Sequence, residues 1–218
     1  MLPLLLTAIV IGYLLGSLPF GYLVARARGV NIFEVGSKNP GATNVRRVLG
    51  HGPGNLVLIL DGLKGAVASG WPLAWAGFRS GNSAAPDEIV AIAGVVAAIV
   101  GHSFSCFTQF RGGKSVATGA GGFLVVFPVG MLIAIGVWLL TLALTRYVSL
   151  ASILGAISLP ISAIVLHRSV ILVSITSVIA LFVMLRHRAN ISRLIAGTES
   201  KIGRKSAPAS PSSAVPKS

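Results

Sequence analysis

The sequence predicts an all-α integral membrane protein with seven transmembrane helices, its N-terminus outside the cell and its C-terminus inside. The 218 residues are 54% hydrophobic and only 11% charged, whereas soluble domains carry about a quarter charged residues. Apolar runs recur along the chain, several of them near the 20 or so residues that cross a bilayer. The polar segments between them carry most of the lysines and arginines, a pattern typical of cytoplasmic loops.

The first two predicted spans are residues 2–24 and 55–75. No basic segment or small-residue cleavage site marks the first as a signal peptide, so it is expected to remain as a permanent span, kinked near its end by Pro19. The second contains Asp61 and Lys64, which share one helix face because they are three residues apart. Since charges inside a membrane are costly, these two are expected to form a structural ion pair or to contact substrate.

The number of later spans depends on residues 115–145, where Pro128 and Gly130 could kink one helix or separate two. The other predicted spans are residues 89–100, 148–166 and 169–185. If residues 115–127 and 129–145 cross separately, nearly all the basic residues share one side. Of the 18 lysines and arginines, only Arg79, Arg168 and the intramembrane Lys64 then lie elsewhere. The positive-inside rule therefore favours seven spans.

The predicted membrane domain, residues 1–202, carries the catalytic motifs, and residues 203–218, rich in Ser, Pro and Ala, are expected to form a disordered cytoplasmic tail. The formal net charge of +13 suits anionic lipid and phosphorylated substrates and does not require nucleic acid. A single cysteine excludes an intrachain disulfide. The four histidines lack metal-ligand spacing, so neither a metal nor another cofactor is expected.

Residues 101–118, GHSFSCFTQFRGGKSVAT, form a polar and basic segment between two apolar ones. Gly112 and Gly113 are expected to free the backbone so that N–H groups turn toward a ligand. Lys114 follows them, and a helix is expected to begin directly after it. Backbone N–H groups, a helix N-terminus and a lysine together favour a phosphate site. The alternative is a basic loop with a flexible turn.

Residues 35–47, VGSKNPGATNVRR, form a second such segment. Short hydrogen-bonding side chains and two arginines follow one another here: Ser37, Asn39, Thr43, Asn44, Arg46 and Arg47. Arginine can hold phosphate with two parallel donors, which suits an anionic ligand. The alternative is an ordinary loop that caps the next helix through an Asn or Thr side chain.

With seven spans, four polar segments meet at the cytoplasmic side: residues 36–47, 101–114, 146–152 (RYVSLAS) and 187–193. They are rich in Ser, Asn, Thr, Lys and Arg, and only Glu34 and Glu199 are acidic on that side. Such a site is expected to bind anions, including more than one phosphate.

The motifs of other phosphate-binding and acyl-transfer proteins do not match this sequence. A P-loop would need glycine at Thr108, and neither a G-x-S-x-G elbow nor a His and Asp separated by four residues is present.

Together these motifs, with HRANISRL from residue 187, resemble the bacterial acyl-phosphate:glycerol-3-phosphate acyltransferase family over about residues 14–201. The resemblance implies an enzyme of the bacterial inner membrane with its site on the cytoplasmic side. It implies transfer of a fatty acyl group from acyl phosphate to the 1-hydroxyl of glycerol 3-phosphate, giving lysophosphatidic acid and phosphate for phospholipid synthesis. It also implies a monomer in membrane lipid, working after a soluble enzyme that makes acyl phosphate.

The resemblance further implies roles for individual residues. Catalytic roles fall on Ser37, Arg47, Lys114, His187 and Asn190, and substrate-binding roles on Asn39, Thr43, Asn44, Gly113, Ser149 and Arg193. For His187 the alternative is a capping or interfacial histidine. Lys38 and Ser115 depart from the family pattern, because glycine is usual or frequent at these positions.

The proton of the acceptor hydroxyl is expected to pass to a substrate phosphate, whose second pKa of about 6 suits this role. A different class of protein, an anion or phosphate-ester transporter, would also suit a small helical membrane protein with an intramembrane charge pair. A transporter would hold its polar groups near the bilayer midplane in repeated halves. Here they cluster at one end, and no internal repeat is evident.

Overall fold

The computed structural model describes residues 2–80 and 88–203, which fold into helices and short connections with no strand among them. The helices are α1 (Leu2–Ser17), α2 (Phe20–Arg26), α3 (Ala42–Leu49), α4 (His51–Ser80), α5 (Glu88–Ser103), α6 (Val116–Val126), α7 (Pro128–Thr145), α8 (Val148–Val165), α9 (Val170–Arg186) and α10 (Arg188–Ile195). The tail that was predicted to be disordered lies, from residue 204 onward, outside the described residues.

Five of the described segments are long and apolar enough to cross a membrane: Leu2–Arg26, His51–Trp75, Glu88–Thr108, α7 and α8. A sixth is obtained if α9 and α10, which meet at a bend of 62°, count as one span. Helix α6 is apolar but has only 11 residues. The prediction of an all-helical integral membrane protein is confirmed, and the count of seven spans stays a prediction.

The chain divides between α6 and α7 where the sequence predicted a break. Helix α6 ends at Val126, and Pro128 begins α7, a first-turn position that suits proline because its missing N–H is not needed there. The guanidinium of Arg168 lies 5.5 Å from the Phe127 ring centre and 3.5 Å from Glu88. The α6–α7 turn, the α8–α9 loop and the start of α5 therefore share one end of the bundle.

The first predicted span is interrupted at Leu18 and Pro19, close to the expected proline kink. The break leaves backbone carbonyl groups without a partner in the helix. Lys64 Nζ donates to the Leu18 carbonyl oxygen at 2.8 Å and lies 2.9 Å from Asp61 Oδ1. The ion pair expected from the sequence is thus present, and it also supports this break.

Several helices meet at glycines, where backbones come into direct contact. A Cβ atom on Gly12 or Gly16 of α1 would lie 2.5 or 2.2 Å from a carbonyl oxygen of α5. A Cβ atom on Gly65 of α4 would lie 1.9 Å from the Thr118 carbonyl oxygen of α6. Such close packing by small residues is characteristic of membrane helices. It holds the short helix α6 against α4.

Candidate active site

A cavity of about 1810 Å³ opens at the end of the bundle opposite Phe127. Every site residue predicted from the sequence borders it except Gly113: Ser37, Asn39, Thr43, Asn44, Arg47, Lys114, Ser149, His187, Asn190 and Arg193. These residues come from four separate chain segments. The convergence expected from the charge distribution is therefore present in the structure.

Asn44 organises the first segment. Its side chain is 2% exposed, and its Oδ1 accepts hydrogen bonds from the Ser37 amide at 2.8 Å and from Arg47 Nη1 at 3.2 Å. Its Nδ2 donates to the Val35 carbonyl oxygen at 3.1 Å. Since these contacts occupy both ends of the amide, Asn44 holds Ser37 and Arg47 in place.

Helix α3 begins without the side-chain cap that the alternative reading of this segment required. Its N-cap is Gly41, which has no side chain to accept a hydrogen bond. Asn39 Oδ1 accepts instead from the Gly41 amide at 2.9 Å and shapes the turn. Thr43 lies in the first turn of α3 and borders the cavity. An ordinary loop capped by an Asn or Thr side chain is therefore ruled out here.

Lys114 lies at the centre of the polar wall. Its Nζ donates to Asn190 Oδ1. Burial lowers the pKa of Lys114 from its ordinary 10.5 to about 8, Glu199 opposes that change, and Arg193, Arg47 and Arg186 add to it. An ammonium held among other cations, with little water, is well suited to bind an anion, because the anion relieves both effects.

The two glycines before Lys114 act differently from what the sequence suggested. Neither has a positive φ, and the Gly113 amide donates to the His102 carbonyl oxygen at 3.0 Å. A Cβ atom on Gly112 would lie 2.1 Å from that same carbonyl oxygen. The glycines therefore allow the loop to approach α5 closely, and the expectation that the Gly113 N–H turns toward a ligand is wrong for this structure.

Arg186, which was not among the predicted site residues, fixes this loop from the other side. Its Nη2 donates to the Gly112 and Gly113 carbonyl oxygens at 3.1 and 2.7 Å. Its guanidinium lies 5.3 Å from the Phe104 ring centre. The only sequence signal was its place beside the HRANISRL segment.

Glu199 is the second residue of this site that was not among the predicted site residues. One of its carboxylate oxygens accepts from Ser149 Oγ at 2.7 Å and from Asn190 Nδ2 at 2.6 Å, and the other accepts from Arg193 Nε at 2.7 Å. Burial alone would raise the pKa of Glu199, but these three donors together hold it below its ordinary value. One of the two acids expected on this side thus lies inside the cation cluster, where it links the third and fourth polar segments.

His187 follows the last residue of α9 at the bend that turns α10 toward Lys114. Its Nδ1 lies 2.8 Å from the Val183 carbonyl oxygen. Because a carbonyl can only accept, Nδ1 carries the proton and Nε2 is an acceptor in the neutral ring. Burial, followed by the charge of Lys114, lowers the pKa of His187 to about 4. The imidazole is therefore neutral at pH 7 and a weak base.

Away from this polar end the cavity is lined mainly by apolar side chains, although Asp61 of α4 and His102 of α5 also border it. Its walls come from α6, α7, α8 and α9 and include Phe123, Leu124, Met131, Trp138, Leu159 and Ile179. One end of the cavity thus suits anions, and the remainder suits a hydrocarbon chain. The arrangement fits an amphiphilic substrate that carries a charged head.

Comparison with known proteins agrees with this geometry. A family model described as glycerol-3-phosphate acyltransferase matches residues 6–197. A protein named glycerol-3-phosphate acyltransferase from Desulforamulus reducens is 44% identical over 199 residues, covering 90% of this chain and 95% of its own. One of the same name from Fusobacterium nucleatum is 45% identical over 194 residues, covering 88% and 95%.

Two solved structures also match closely. The crystal structure of PlsY (YgiH), an integral membrane glycerol 3-phosphate acyltransferase, in its glycerol 3-phosphate form has a TM-score of 0.82 at 38% identity, covering 91% of this chain and 96% of its own. The lysophosphatidic acid form of PlsY has a TM-score of 0.79. Sequence and fold agree over nearly the whole membrane part, so this chain belongs to the glycerol-3-phosphate acyltransferase family.

Proposed function

We propose that this protein transfers a fatty acyl group from acyl phosphate to the 1-hydroxyl of glycerol 3-phosphate. The products are lysophosphatidic acid and phosphate, which enter phospholipid synthesis. The observation that carries the proposal is that one cavity joins a cation-rich end, at Lys114 and Arg47, to apolar walls beyond it. Membership of the glycerol-3-phosphate acyltransferase family supplies the acceptor.

In this proposal the two cations bind phosphate oxygens, Lys114 as a compact charge and Arg47 with paired donors. Ser37, Asn39, Thr43, Ser149 and Arg193 complete the contacts to the phosphates and the glycerol hydroxyls. His187 and Asn190 orient the substrates and do not act as an acid–base pair. Asn44 acts through Ser37 and Arg47, with which it is hydrogen bonded.

The reaction needs no covalent enzyme intermediate, because acyl phosphate is already activated as a mixed anhydride. The hydroxyl oxygen attacks the acyl carbonyl carbon, the bond from that carbon to the phosphate oxygen breaks, and phosphate leaves with the electron pair. The hydroxyl proton passes to a substrate phosphate. Holding the reactants together can supply roughly 7–11 kcal/mol of the barrier, and cations at the phosphates stabilise the departing charge.

The low pKa of His187, about 4, supports proton transfer to a substrate phosphate. A general base is most effective when its pKa is near the working pH, and a phosphate with a second pKa of about 6 meets this condition better. A single protein residue whose removal abolished turnover while both substrates still bound normally would count against substrate assistance.

We further propose seven membrane spans, namely the five long apolar segments together with α6 and α9. The N-terminus then lies outside and the C-terminus inside the bacterial inner membrane. The active site then faces the cytoplasm, and residues 1–202 form the catalytic membrane domain. A soluble enzyme that makes acyl phosphate supplies the donor, and the working unit is a monomer. The distribution of basic residues supports this orientation.

The donor is tested directly with purified protein in detergent, glycerol 3-phosphate, and either palmitoyl phosphate or palmitoyl-CoA. We expect lysophosphatidic acid from palmitoyl phosphate only, because the polar wall is built for compact phosphates. Production of inorganic phosphate in equal amount would confirm the stoichiometry. Comparable rates from the two donors would overturn the assignment of acyl phosphate.

A further inference from the structure

Three ionisable side chains lie next to the loop that carries Lys114 and have no role in the proposed chemistry, although Asp61 and His102 border the same cavity. Asp61 and Lys64 belong to α4, and His102 is near the end of α5. The side chains of Asp61 and Lys64 are each 3% exposed, and that of His102 is 10% exposed. Burying such groups in membrane helices is costly unless they are paired or serve a function. An ion pair would need only two of the three.

The three side chains form a continuous line of contacts. Lys64 Nζ donates to the Leu18 carbonyl oxygen between α1 and α2 and lies 2.9 Å from Asp61 Oδ1. The same carboxylate oxygen lies 3.5 Å from His102 Nδ1. The line therefore starts at the break in the first span and ends on the imidazole of His102.

His102 in turn contacts the residue directly before Lys114. Its carbonyl oxygen accepts the Gly113 amide at 3.0 Å. A Cβ atom on Gly113 would lie only 2.1 Å from His102 Nε2, so the ring is packed against the backbone of Gly113. On the far side of Lys114, Ser115 Oγ donates to the Ile99 carbonyl oxygen at 2.8 Å and lies 2.6 Å from Ser103 Oγ. The backbone of Lys114 is thus held to α5 on both sides.

We propose that Asp61, Lys64 and His102 form a positioning cluster that fixes the backbone of Lys114, and through it the place of the ammonium that binds phosphate. The inference rests on the proposed role of Lys114. Lysine has a flexible four-carbon stem, so a well-placed ammonium needs a fixed Cα. The carboxylate orients the ring, Lys64 balances the carboxylate, and the ring sets Gly113. The cluster acts through the loop and does not touch the reacting atoms.

His102→Phe and His102→Gln test this inference. The first keeps a planar ring beside Gly113 but loses the contact with Asp61, and the second keeps a polar group without the ring. Both leave the Asp61–Lys64 ion pair intact, which favours normal folding. We expect kcat/KM to fall about 10- to 100-fold, because displacing a substrate-holding group by about 1 Å has effects of this order, while the melting temperature stays close to that of the wild type.

The pH profile gives a readout that a purely structural role would not move. In the wild type, activity is expected to fall above a pKa of about 8 as Lys114 loses its proton. Displacement of the loop would hydrate the ammonium, so this alkaline limb should move toward higher pH in both variants. The charged groups that also face Lys114, namely Glu199, Arg193, Arg47 and Arg186, are unchanged in these proteins.

Ser69→Ala is the matched control. Ser69 lies on α4 about two turns from Asp61, and its Oγ lies within hydrogen-bond distance of the Gly65 and Gly122 carbonyl oxygens, at 3.1 and 3.2 Å. Its loss removes a buried hydrogen bond at a distance from the loop. We expect a lower melting temperature with kcat/KM and the alkaline limb unchanged. Gly113→Ala, whose methyl group would collide with the imidazole, is expected to shift the limb as the His102 variants do.

The outcomes separate this inference from the proposed function. If both His102 variants and Gly113→Ala keep wild-type kcat/KM and alkaline limb while Lys114→Ala is inactive, the cluster is only structural and the inference is overturned. If the His102 variants do not fold, Gly113→Ala decides alone by the same criterion. A wild-type protein without activity toward acyl phosphate would instead count against the proposed function.

Discussion

Lys114 and Arg47 both border the cavity, and Lys114 is hydrogen bonded to Asn190 and Arg47 to Asn44. We expect Lys114→Ala and Arg47→Ala each to lower kcat/KM at least about 100-fold, since each removes a charge that would stabilise the departing phosphate. Lys114→Arg should also be impaired, because a planar guanidinium differs from a compact ammonium in shape and hydration. The measurement is steady-state kinetics with palmitoyl phosphate.

Lys114→Ala should keep its fold but lose one pH-dependent contribution to stability. The pKa of Lys114 is lowered in the folded protein from 10.5 to about 8. Between these pH values the unfolded chain binds more protons, so the contribution of this residue to stability rises with pH. The variant should lose that rise in melting temperature between pH 8 and 10. Near-normal turnover in a folded Lys114→Ala protein would refute the role of this lysine.

The two departures from the family pattern share a backbone conformation. Lys38 has φ 56° and Ser115 has φ 59°, in the left-handed region that glycine adopts most readily. Ser115 is compensated by its buried hydrogen bonds to Ile99 and Ser103. Lys38 is exposed. The preference for glycine at both positions thus has a steric cause, and Ser115 offsets it with two buried side-chain hydrogen bonds.

Lys38→Gly is therefore expected to stabilise the protein. Relief of the left-handed strain should raise the free energy of unfolding by up to about 1 kcal/mol, seen as an increase of roughly 2–4 °C in melting temperature. Gly29→Ala is the matched control, because Gly29 has φ 72° and its added Cβ would meet no atom within 4 Å. It should lower the melting temperature by a similar amount. A decrease for Lys38→Gly would contradict the argument.

At the scale of the helices, the two breaks marked by proline were predicted from the sequence, whereas a third break, which has no proline, was missed. Pro19 and Pro128 identified the ends of α1 and α6. The bend of 62° between α9 and α10 falls at His187, with no proline or glycine beside it. That bend depends on tertiary contacts, because Asn190 in α10 bonds to Lys114 and to Glu199. Local sequence carries no signal for such contacts.

The candidate site was predictable to a similar degree. Motif composition and the positive-inside rule predicted that the four polar segments lie together, because each segment follows a recognisable apolar run. The contact between Asp61 and His102 joins residues 41 positions apart and has no local pattern. Glu199 was counted among the few acids on this side, but its insertion among cations follows from the path of the chain after α10. Contacts between residues so far apart in the chain cannot be predicted from local sequence patterns.

The contact of α4 with α6 gives a prediction at this scale. Gly65→Ala would place a methyl carbon 1.9 Å from the Thr118 carbonyl oxygen, so α6 must move away from α4. We expect a loss of about 1–3 kcal/mol or more from overpacking. Activity should fall as well, since α6 begins directly after Ser115. The measurements are melting temperature and kcat/KM.

Gly136→Ala is the control for this change. Gly136 is also a helical glycine, in α7, but an added Cβ there would meet no atom within 4 Å. Alanine favours a helix over glycine by about 1 kcal/mol, so this variant should be as stable as the wild type or more so. Equal behaviour of the two variants would show that the backbone contact between α4 and α6 is unimportant.

On the scale of the whole molecule, charge and cavity are arranged along the same axis. The polar wall, including Lys114, Arg47 and Arg193, lies at one end of the bundle. The opposite end is marked by Glu88 and Arg168, which lie 3.5 Å apart. In the proposed function, an amphiphilic donor would place its phosphate at this polar end while its chain extends along the apolar walls. The site needs no path through the membrane, in contrast to a transporter.

The orientation of this axis is the last prediction. In a Cys106→Ser background, which removes the single native cysteine, single cysteines are placed at exposed positions on the two ends, as His167→Cys and Ala196→Cys. The positive-inside rule places residue 196 in the cytoplasm and residue 167 outside. A membrane-impermeant maleimide added to intact cells whose outer membrane has been removed should label His167→Cys alone. Ala196→Cys should react only after the membrane is opened. Because residues 167 and 196 lie on either side of α9, labelling of both from the same side would show that α9 does not cross. Labelling of Ala196→Cys alone in intact cells would reverse the orientation and move the cation-rich end of the cavity to the outer face.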